Sequence, residues 1–463
     1  WLKEPAQEEE EDTQNAVLMP GPLAGIRVVD LCQYQNGPSA IGRLADNGAD
    51  VIKVEPPEGD GMRFAIMPGA QLGQIEAFNR GKRSIALDLK HKDAAAVMER
   101  LVKWADVIAE NFRPGIMDKL GFGYEQCREW NPSIIYAANS GYGPTGGWAS
   151  RPSYDAIAQG FAGSMQKQGG GPSHEPQEIS FAFSDEVGAT NFCFSIVNAL
   201  LARERTGKAQ KIETSQTGAS LDFQRHDFQN TLYYGRVDPE GQDKGLPPWG
   251  HRHMQQRHRC SDGKWIVLQL MKNWMFERFC SQVIKRPDLM TATVLKAWPN
   301  PPEDLCKWIA AESAREIAKQ PQQHWLDASV AADVPCAPVN TYEDIADHTI
   351  SVGQHFRDNG YTRQTRHREF GRMTVVGPPT VYHGTPNGLP GPDESWHAPE
   401  LGEHAVEVLR DVLGFSSEET ERMQHGVAKS VGPLVSGTFH KLRAHIKQKF
   451  NRPDEEPRPR AKL

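Results

Sequence analysis

Apolar residues in the first half of the chain alternate between two patterns. Short β-branched runs, Ile26-Arg-Val-Val-Asp-Leu31, Asp50-Val-Ile-Lys-Val-Glu55, Arg83-Ser-Ile-Ala-Leu87, Asp106-Val-Ile-Ala-Glu110 and Ser133-Ile-Ile-Tyr-Ala137, predict strands. Between them, Ser39 to Asn47 and Asp93 to Trp104 space their apolar residues as helices do. Alternation at this interval predicts an α/β fold, a mostly parallel sheet covered by helices. Further on, Val187 to Ala202 carries no charge but contains Thr190, Asn191, Ser195 and Asn198. It is too short and too polar to span a bilayer, so it reads as buried helix within a longer one from about Glu186 to Arg205. The turn at Thr206-Gly-Lys then leads into one more strand.

The pattern changes past Phe223, where the chain to Arg259 is rich in Gln, His, Arg, Gly and Pro. Ser261-Asp-Gly-Lys-Trp-Ile-Val-Leu-Gln-Leu270 reads as a turn and strand, followed by helical sequence to about Ala328. The expected organisation is an acidic, disordered segment over 1–20 with a Glu run at 8–11, then a large domain over 21–225. A linker and small domain follow over 226–330. The chain is expected to return to the large domain over 331–415, through Val334-Pro-Cys-Ala-Pro-Val339, and to end in helices and a basic tail over 416–463.

With 463 residues, 38% of them hydrophobic, the chain can bury a large core. Its net charge of −7 and scattered basic residues offer no electrostatic footprint for nucleic acid. Seven cysteines without CxxC spacing argue for a reducing compartment and against a disulfide framework or structural zinc. The terminal Ala461-Lys462-Leu463, after a Pro-rich basic tail, is similar to the Ser-Lys-Leu signal read by the peroxisomal import receptor. Peroxisomal location is therefore expected, with cytoplasmic as the alternative.

The candidate nucleophile is Asp185, in Ile179-Ser-Phe-Ala-Phe-Ser-Asp185-Glu-Val-Gly, where a strand-like apolar run is expected to end on a carboxylate and open a helix. A carboxylate there can project from a rigid scaffold, beside helix N–H groups that favour negative charge. The competing reading is that Asp185 only caps the helix, a role aspartate fills well. Ligands of a parallel sheet bind at the carboxyl ends of its strands. Those loops hold Gln33-Tyr-Gln-Asn-Gly-Pro38, Glu55-Pro-Pro-Glu-Gly-Asp60, Asn79-Arg-Gly-Lys-Arg83, Glu110-Asn-Phe-Arg-Pro-Gly115 and Ser140-Gly-Tyr-Gly-Pro144. Neither GxGxxG after the first strand nor GxxxxGK[ST] is present, which disfavours dinucleotide dehydrogenases and P-loop enzymes. Arg and Lys beside Gly, Asn and aromatic residues suit a phosphate-bearing ligand with a stackable base.

In order and content these loops resemble the class III coenzyme A-transferases, the group containing formyl-CoA and carnitine CoA-transferases, over about residues 22–415. The resemblance rests on Val29-Asp-Leu, Gly48-Ala-Asp-Val-Ile-Lys-Val-Glu55, Asn79-Arg-Gly-Lys-Arg-Ser-Ile-Ala-Leu-Asp-Leu89, Asp106-Val-Ile-Ala-Glu-Asn-Phe-Arg-Pro-Gly115, Gly141-Tyr-Gly-Pro-Thr-Gly146, the Asp185 segment and Arg205-Thr-Gly-Lys. It implies a Rossmann-like large domain with a parallel sheet, a smaller α/β domain and an interlocked homodimer. It places Asp185 at the family's catalytic aspartate. It puts coenzyme A, bound as the acyl-CoA substrate, against Gln35, Asn36, Leu87, Asp88, Lys90, Asn111, Phe112, Arg113, Lys119, Gly141 and Tyr142. The implied activity moves coenzyme A between carboxylic acids through an aspartyl mixed anhydride and an aspartyl-CoA thioester, with no metal. Each of these residues also has an ordinary reading as loop former, core residue or surface charge.

Three departures stand out. Pro56 occupies the position of an arginine beside the adenine in formyl-CoA transferase. Gly250-His-Arg-His-Met-Gln-Gln-Arg-His-Arg259 replaces the family's more apolar small-domain pattern, and its cations suit a dicarboxylate. Glu186 sets a second carboxylate beside Asp185, able to raise its pKa if both point inward. The main rival is α-methylacyl-CoA racemase, an isomerase of the same superfamily. Its Gly-His-Asp pattern faces Ser153-Tyr154-Asp155 here, and tyrosine is a poor two-way proton carrier at neutral pH. A lyase or hydrolase sharing the aspartyl intermediate, and a non-enzymatic CoA-binding scaffold, remain open.

Overall fold

The computed structural model describes residues 21–63, 70–169, 171, 174–234, 255–298, 302–367, 371–387 and 396–426. They fall into two compact units, the first drawing on segments up to 165, 178–228 and 360 onward, the second on 166–177 and 229–359.

In the first unit six strands, β1 (Arg27–Asp30), β2 (Asp50–Glu55), β3 (Arg83–Ala86), β4 (Val107–Glu110), β5 (Ile135–Ser140) and β6 (Lys211–Ser215), lie in the order β3-β2-β1-β4-β5-β6. Every neighbouring pair is parallel. The order reverses between β1 and β4, and such a switch point opens a crevice at the carboxyl ends of the two strands.

Among the described residues, the α-helices up to residue 223 are α1 (Asn36–Asp46), α2 (Ala70–Asn79), α3 (Ala94–Trp104), α4 (Ile116–Leu120), α5 (Tyr124–Trp130), α6 (Asp155–Phe161), α7 (Ser164–Gly169), α8 (Phe183–Thr206) and α9 (Gln216–Phe223). Successive strand side chains face opposite ways, so Val28 joins one core and Val29 the other. On the Val28 face, Ile41 and Leu44 of α1 and Phe192 and Ile196 of α8 are fully buried. On the Val29 face, Val97, Met98 and Leu101 of α3 pack with Ile52, Ile85 and Ile108. Each such side chain contributes roughly 1.5–3 kcal/mol of apolar burial, enough to hold both helical layers on the sheet.

Beneath the switch-point loops lies a cluster of buried charges. Lys82 Nζ sits 2.8 Å from Asp30 Oδ2 and Lys53 Nζ 3.0 Å from Asp60 Oδ2, all four side chains fully buried. Arg63 grips Glu55 through Nε at 2.6 Å and Nη2 at 2.7 Å. Burial alone would depress the Lys53 ammonium, but Asp60, Asp30 and Glu55 outweigh it and hold the pKa above its usual value. The cluster also shapes backbone: Asp30 accepts from Cys32 N, Lys53 donates to Cys32 O, Asp60 accepts from Tyr34 N and Lys82 donates to Pro38 O. The loop carrying Gln33 to Asn36 is thus bonded from below by charges that water does not reach.

The second unit has an antiparallel sheet of β7 (Gln255–Arg259), β8 (Trp265–Gln269) and β9 (Cys336–Pro338), in the order β7-β8-β9. Helices Asn273–Arg278, Glu303–Ile317 and Gln322–Ala331 cover it. Leu268, Phe276, Phe279, Trp298 and Ile309 share its core, and the Phe276 and Trp298 rings stack with centroids 4.0 Å apart.

The strand positions expected from the pattern hold to within a few residues, and three features differ. Cys336 to Pro338 does not rejoin the parallel sheet at 331, because it pairs with β8 and Val334 packs in the small core; the crossing comes near 360. A hairpin, β10 (Thr362–His367) with β11 (Gly371–Val376), follows, and no pattern pointed to it. Ile179 to Ala182 is turn and irregular backbone, not the expected strand.

The expected acidic segment 1–20, residues 250–254 of the His and Arg cluster, the basic helix at 439–450 and the Ala461-Lys462-Leu463 terminus lie outside the described residues. None of the seven cysteines is in a disulfide among the described residues. No helix among the described residues is long and apolar enough to cross a membrane, and no group of three or more His, Cys, Asp or Glu side chains there is arranged to hold a metal ion.

Candidate active site

At the switch point the loops after β1 and β4 are joined by one reciprocal amide pair. Gln33 N donates to Asn111 Oδ1 and Asn111 Nδ2 donates back to Gln33 O, both at 2.8 Å. Around this pair opens a cavity of about 310 Å³ lined by Tyr34, Gln35, Asn36, Asn111, Phe112, Arg113, Asn139, Gly141, Ser153, Tyr154, Asp185 and Gln216 among others. A second cavity, about 380 Å³, is lined by Pro56, Glu58, Leu87, Asp88, Lys90 and Leu120. The two share Gln33 and Phe112, so they form neighbouring compartments along the carboxyl edge of the sheet.

Asp185 is the third residue of α8, and the turn before the helix sets its direction. Phe181 and Ala182 both adopt left-handed φ, 70° and 50°, where a side chain is strained. The turn is held by Gln159, which accepts from Ile179 N at 2.8 Å and donates to Ile179 O at 2.9 Å. Asp155, the first residue of α6, accepts the Asp185 backbone N–H at 3.0 Å. Asn36 Nδ2 donates to Asp185 O at 3.0 Å, while Asn36 Oδ1 accepts from Asn139 Nδ2. Residue 188 must be glycine for this approach, since a Cβ there would lie 2.2 Å from Asn36 Nδ2.

These contacts bear on the capping reading of Asp185. Its carboxylate does not cap α8; that N–H is taken by Asp155 from another helix. Instead Oδ1 accepts from Gln216 Nε2 at 2.5 Å, while no hydrogen bond from the described residues reaches Oδ2. Burial pushes the Asp185 carboxyl up to about 7, the nearby Asp155 carboxylate adds to the rise, the Gln216 amide opposes it, and Glu186 adds the smallest part. Glu186 turns toward α1, accepting from Arg43 Nη2 at 2.6 Å, Gln35 Nε2 at 2.9 Å and Ser39 Oγ at 3.2 Å. A half-buried carboxylate ionising near neutrality, with one oxygen bonded to Gln216 in a residue that lines a cavity, can serve as a nucleophile.

Of the other residues singled out from sequence, Gln35, Asn36, Asn111, Phe112, Arg113 and Gly141 line the Asp185 cavity. Leu87, Asp88 and Lys90 line the second, where the Asp88 carboxylate accepts from Lys90 N at 2.9 Å in a local turn. Lys119 is exposed on α4, and Tyr142 packs edge-on against Phe161 with centroids 5.0 Å apart; neither lines either cavity. Tyr154, 60% exposed, sets its ring edge-on to Tyr34 at 5.6 Å.

Sequence reasoning missed Gln216, and it read Asp155 only as part of a motif comparison. Both are polar residues that begin helices next to the sheet's carboxyl edge, the place where a parallel sheet binds ligands, and that rule was a usable signal. Their nearness to Asp185 was not, because 30 and 31 residues of chain separate them from it.

The model of the family described as CoA-transferase family III matches residues 23–405. Among curated proteins, the chain is 36% identical over 328 residues to acetyl-CoA:oxalate CoA-transferase of Acetobacter aceti, covering 69% of this chain and 81% of the relative. It is 30% identical over 416 residues to the succinyl-CoA–L-malate CoA-transferase beta subunit of Chloroflexus aurantiacus, covering 86% and 96%. Among solved structures, a CAIB/BAIF family protein from Brucella suis superimposes with a TM-score of 0.70 at 28% identity, covering 85% of this chain and all of the other.

Proposed function

The chain belongs to CoA-transferase family III, and from that membership we propose that it transfers coenzyme A between two carboxylic acids with Asp185 as the covalent relay. The observation that carries this reading is the Asp185 carboxylate itself, one oxygen held by Gln216 in a residue that lines the switch-point cavity. In the proposed sequence Asp185 attacks the thioester carbonyl of the donor acyl-CoA, the C–S bond breaks, and a mixed anhydride and CoA thiolate result. The thiolate attacks the aspartyl carbon, the donor acid leaves, and an aspartyl-CoA thioester remains. The acceptor carboxylate then runs the two steps in reverse. Splitting the exchange into activated acyl steps lowers the barrier to each.

The compartment lined by Pro56, Leu87, Asp88 and Lys90 suits the nucleotide end of coenzyme A, and Phe112 lines both it and the Asp185 cavity. Arg113 is the cation of that cavity's lining among the described residues, and its guanidinium suits a phosphate of coenzyme A. A dicarboxylate acceptor is favoured by the curated relatives, whose names pair coenzyme A with oxalate and with malate. A homodimer is favoured by apolar side chains left exposed on one stripe of α8, Phe194 at 63%, Val197 at 37% and Leu201 at 46%.

The test is mass spectrometry of enzyme quenched with hydroxylamine during turnover. Modification confined to the Asp185 peptide is expected. An unmodified peptide, together with solvent deuterium entering the acyl α-carbon, would instead favour the racemase.

A further inference from the structure

Gln216 is buried at 5% exposure on the junction between β6 and α9, a rigid position. Backbone bonds fix it there: Thr217 N donates to Gly141 O at 3.1 Å, and Ser215 caps α9 by accepting from Gly218 N at 3.0 Å. Its amide has a defined orientation as well. Ser153 Oγ donates to Gln216 Oε1 at 3.0 Å, which turns Nε2 toward Asp185 Oδ1. The reversed amide would set two acceptor oxygens 2.5 Å apart, against an ionised carboxylate.

We propose that Gln216 is a further catalytic residue, which assigns different fates to the two oxygens of Asp185. Oδ1 stays bonded to the Gln216 amide through the cycle, and Oδ2 is the oxygen that is acylated, lost and replaced. The inference rests on the aspartyl relay proposed above. When Oδ2 attacks the donor thioester, the anhydride leaves Oδ1 as the aspartyl carbonyl oxygen. When the CoA thiolate then attacks the aspartyl carbon, the electron pair of that carbonyl moves onto Oδ1, where the Gln216 N–H already points. A donor aimed at a developing oxyanion is typically worth roughly 10²–10³-fold in rate. Collapse of this intermediate breaks the bond from the aspartyl carbon to Oδ2, so Oδ2 departs with the donor acid. The incoming carboxylate supplies a new oxygen at the same place, and the CoA thiolate, attacking the acyl carbon, returns Asp185 to a free carboxylate.

Oxygen labelling tests this directly. The enzyme is cycled with an acyl-CoA that it demonstrably turns over, screened from acetyl-CoA and succinyl-CoA, and with the same acid carried as its ¹⁸O-labelled carboxylate. After many turnovers the Asp185 peptide is weighed. The expected result is one heavy oxygen per Asp185 in the wild type, and two in Gln216→Leu, where nothing keeps the carboxylate from flipping between turnovers. Gln216→Leu should also lower kcat by roughly 10²–10³-fold while KM for the acyl-CoA changes little. Two heavy oxygens in the wild type would overturn the assignment, and so would one in both proteins. No label despite turnover would overturn the aspartyl relay itself, a distinguishable failure. If Gln216→Leu does not fold, the wild-type count alone still decides.

Discussion

The raised pKa of Asp185 makes a prediction about stability that is independent of any substrate. Burial, with Asp155 and Glu186 adding, moves its carboxyl from 3.8 to about 7 against the opposing Gln216 bond. Each unit corresponds to about 1.4 kcal/mol, so ionising this group in the fold costs about 4 kcal/mol more than in the unfolded chain. Discounted for its partial exposure, about 2 kcal/mol remains. The folded state retains a proton that the unfolded state releases, so this contribution is full below pH 4, falls as pH rises toward 7, and is gone above it. Asn at 185 keeps the shape and the acceptor oxygen for Gln216 but cannot ionise. Asp185→Asn should therefore match the wild type near pH 3.5 and exceed it by about 2 kcal/mol at pH 8. Calorimetric unfolding of both proteins across this range is the assay, with catalysis lost in the variant at every pH. A stability difference that does not change with pH, or a variant less stable at pH 8, would refute the argument that this carboxylate is held at a cost.

Other consequences follow from neighbouring contacts. Asp155→Asn keeps an acceptor for the Asp185 backbone N–H while removing a repelling charge, so the acid limb of kcat/KM, expected near pH 7 in the wild type, should move down by about one unit. Lys53→Met leaves Asp60 buried without its ion-pair partner, while Asp30 keeps Lys82, and should cost about 3–5 kcal/mol, read as the loss of denaturant midpoint. Gly188→Ala drives a Cβ into Asn36 Nδ2 and displaces its bond to Asp185 O. It should lower both Tm, through overpacking of about 1–3 kcal/mol, and kcat, whereas an alanine at exposed Gly147, which meets nothing within 4 Å, should leave both unchanged.

Much of this architecture was legible because local patterns and global fold agree. Runs such as Asp50 to Glu55 and helices such as Ala94–Trp104 carry their period in the sequence, and the sheet needs that period to fill its two cores. The segment before Asp185 misled for the same reason. Ile179 to Phe183 has strand composition, but the backbone there bends through two left-handed residues under the grip of Gln159, a contact spanning 20 residues that no window contains. Likewise Cys336 to Pro338 looks like any short apolar run, and which sheet it joins depends on where β8 lies.

Sequence alone determined the alternating α/β order, the phosphate-compatible loops and the identity of the acid most worth watching, since each is written in contiguous residues. Only the tertiary structure decided what that acid experiences. Its pKa, the oxygen left free and the amide that holds the other depend on Asp155, Ser153 and Gln216, residues distant along the chain and brought together by the crossings between parallel strands. The physical reason is range: hydrophobic period acts over a turn or two of backbone, whereas desolvation and charge act through space.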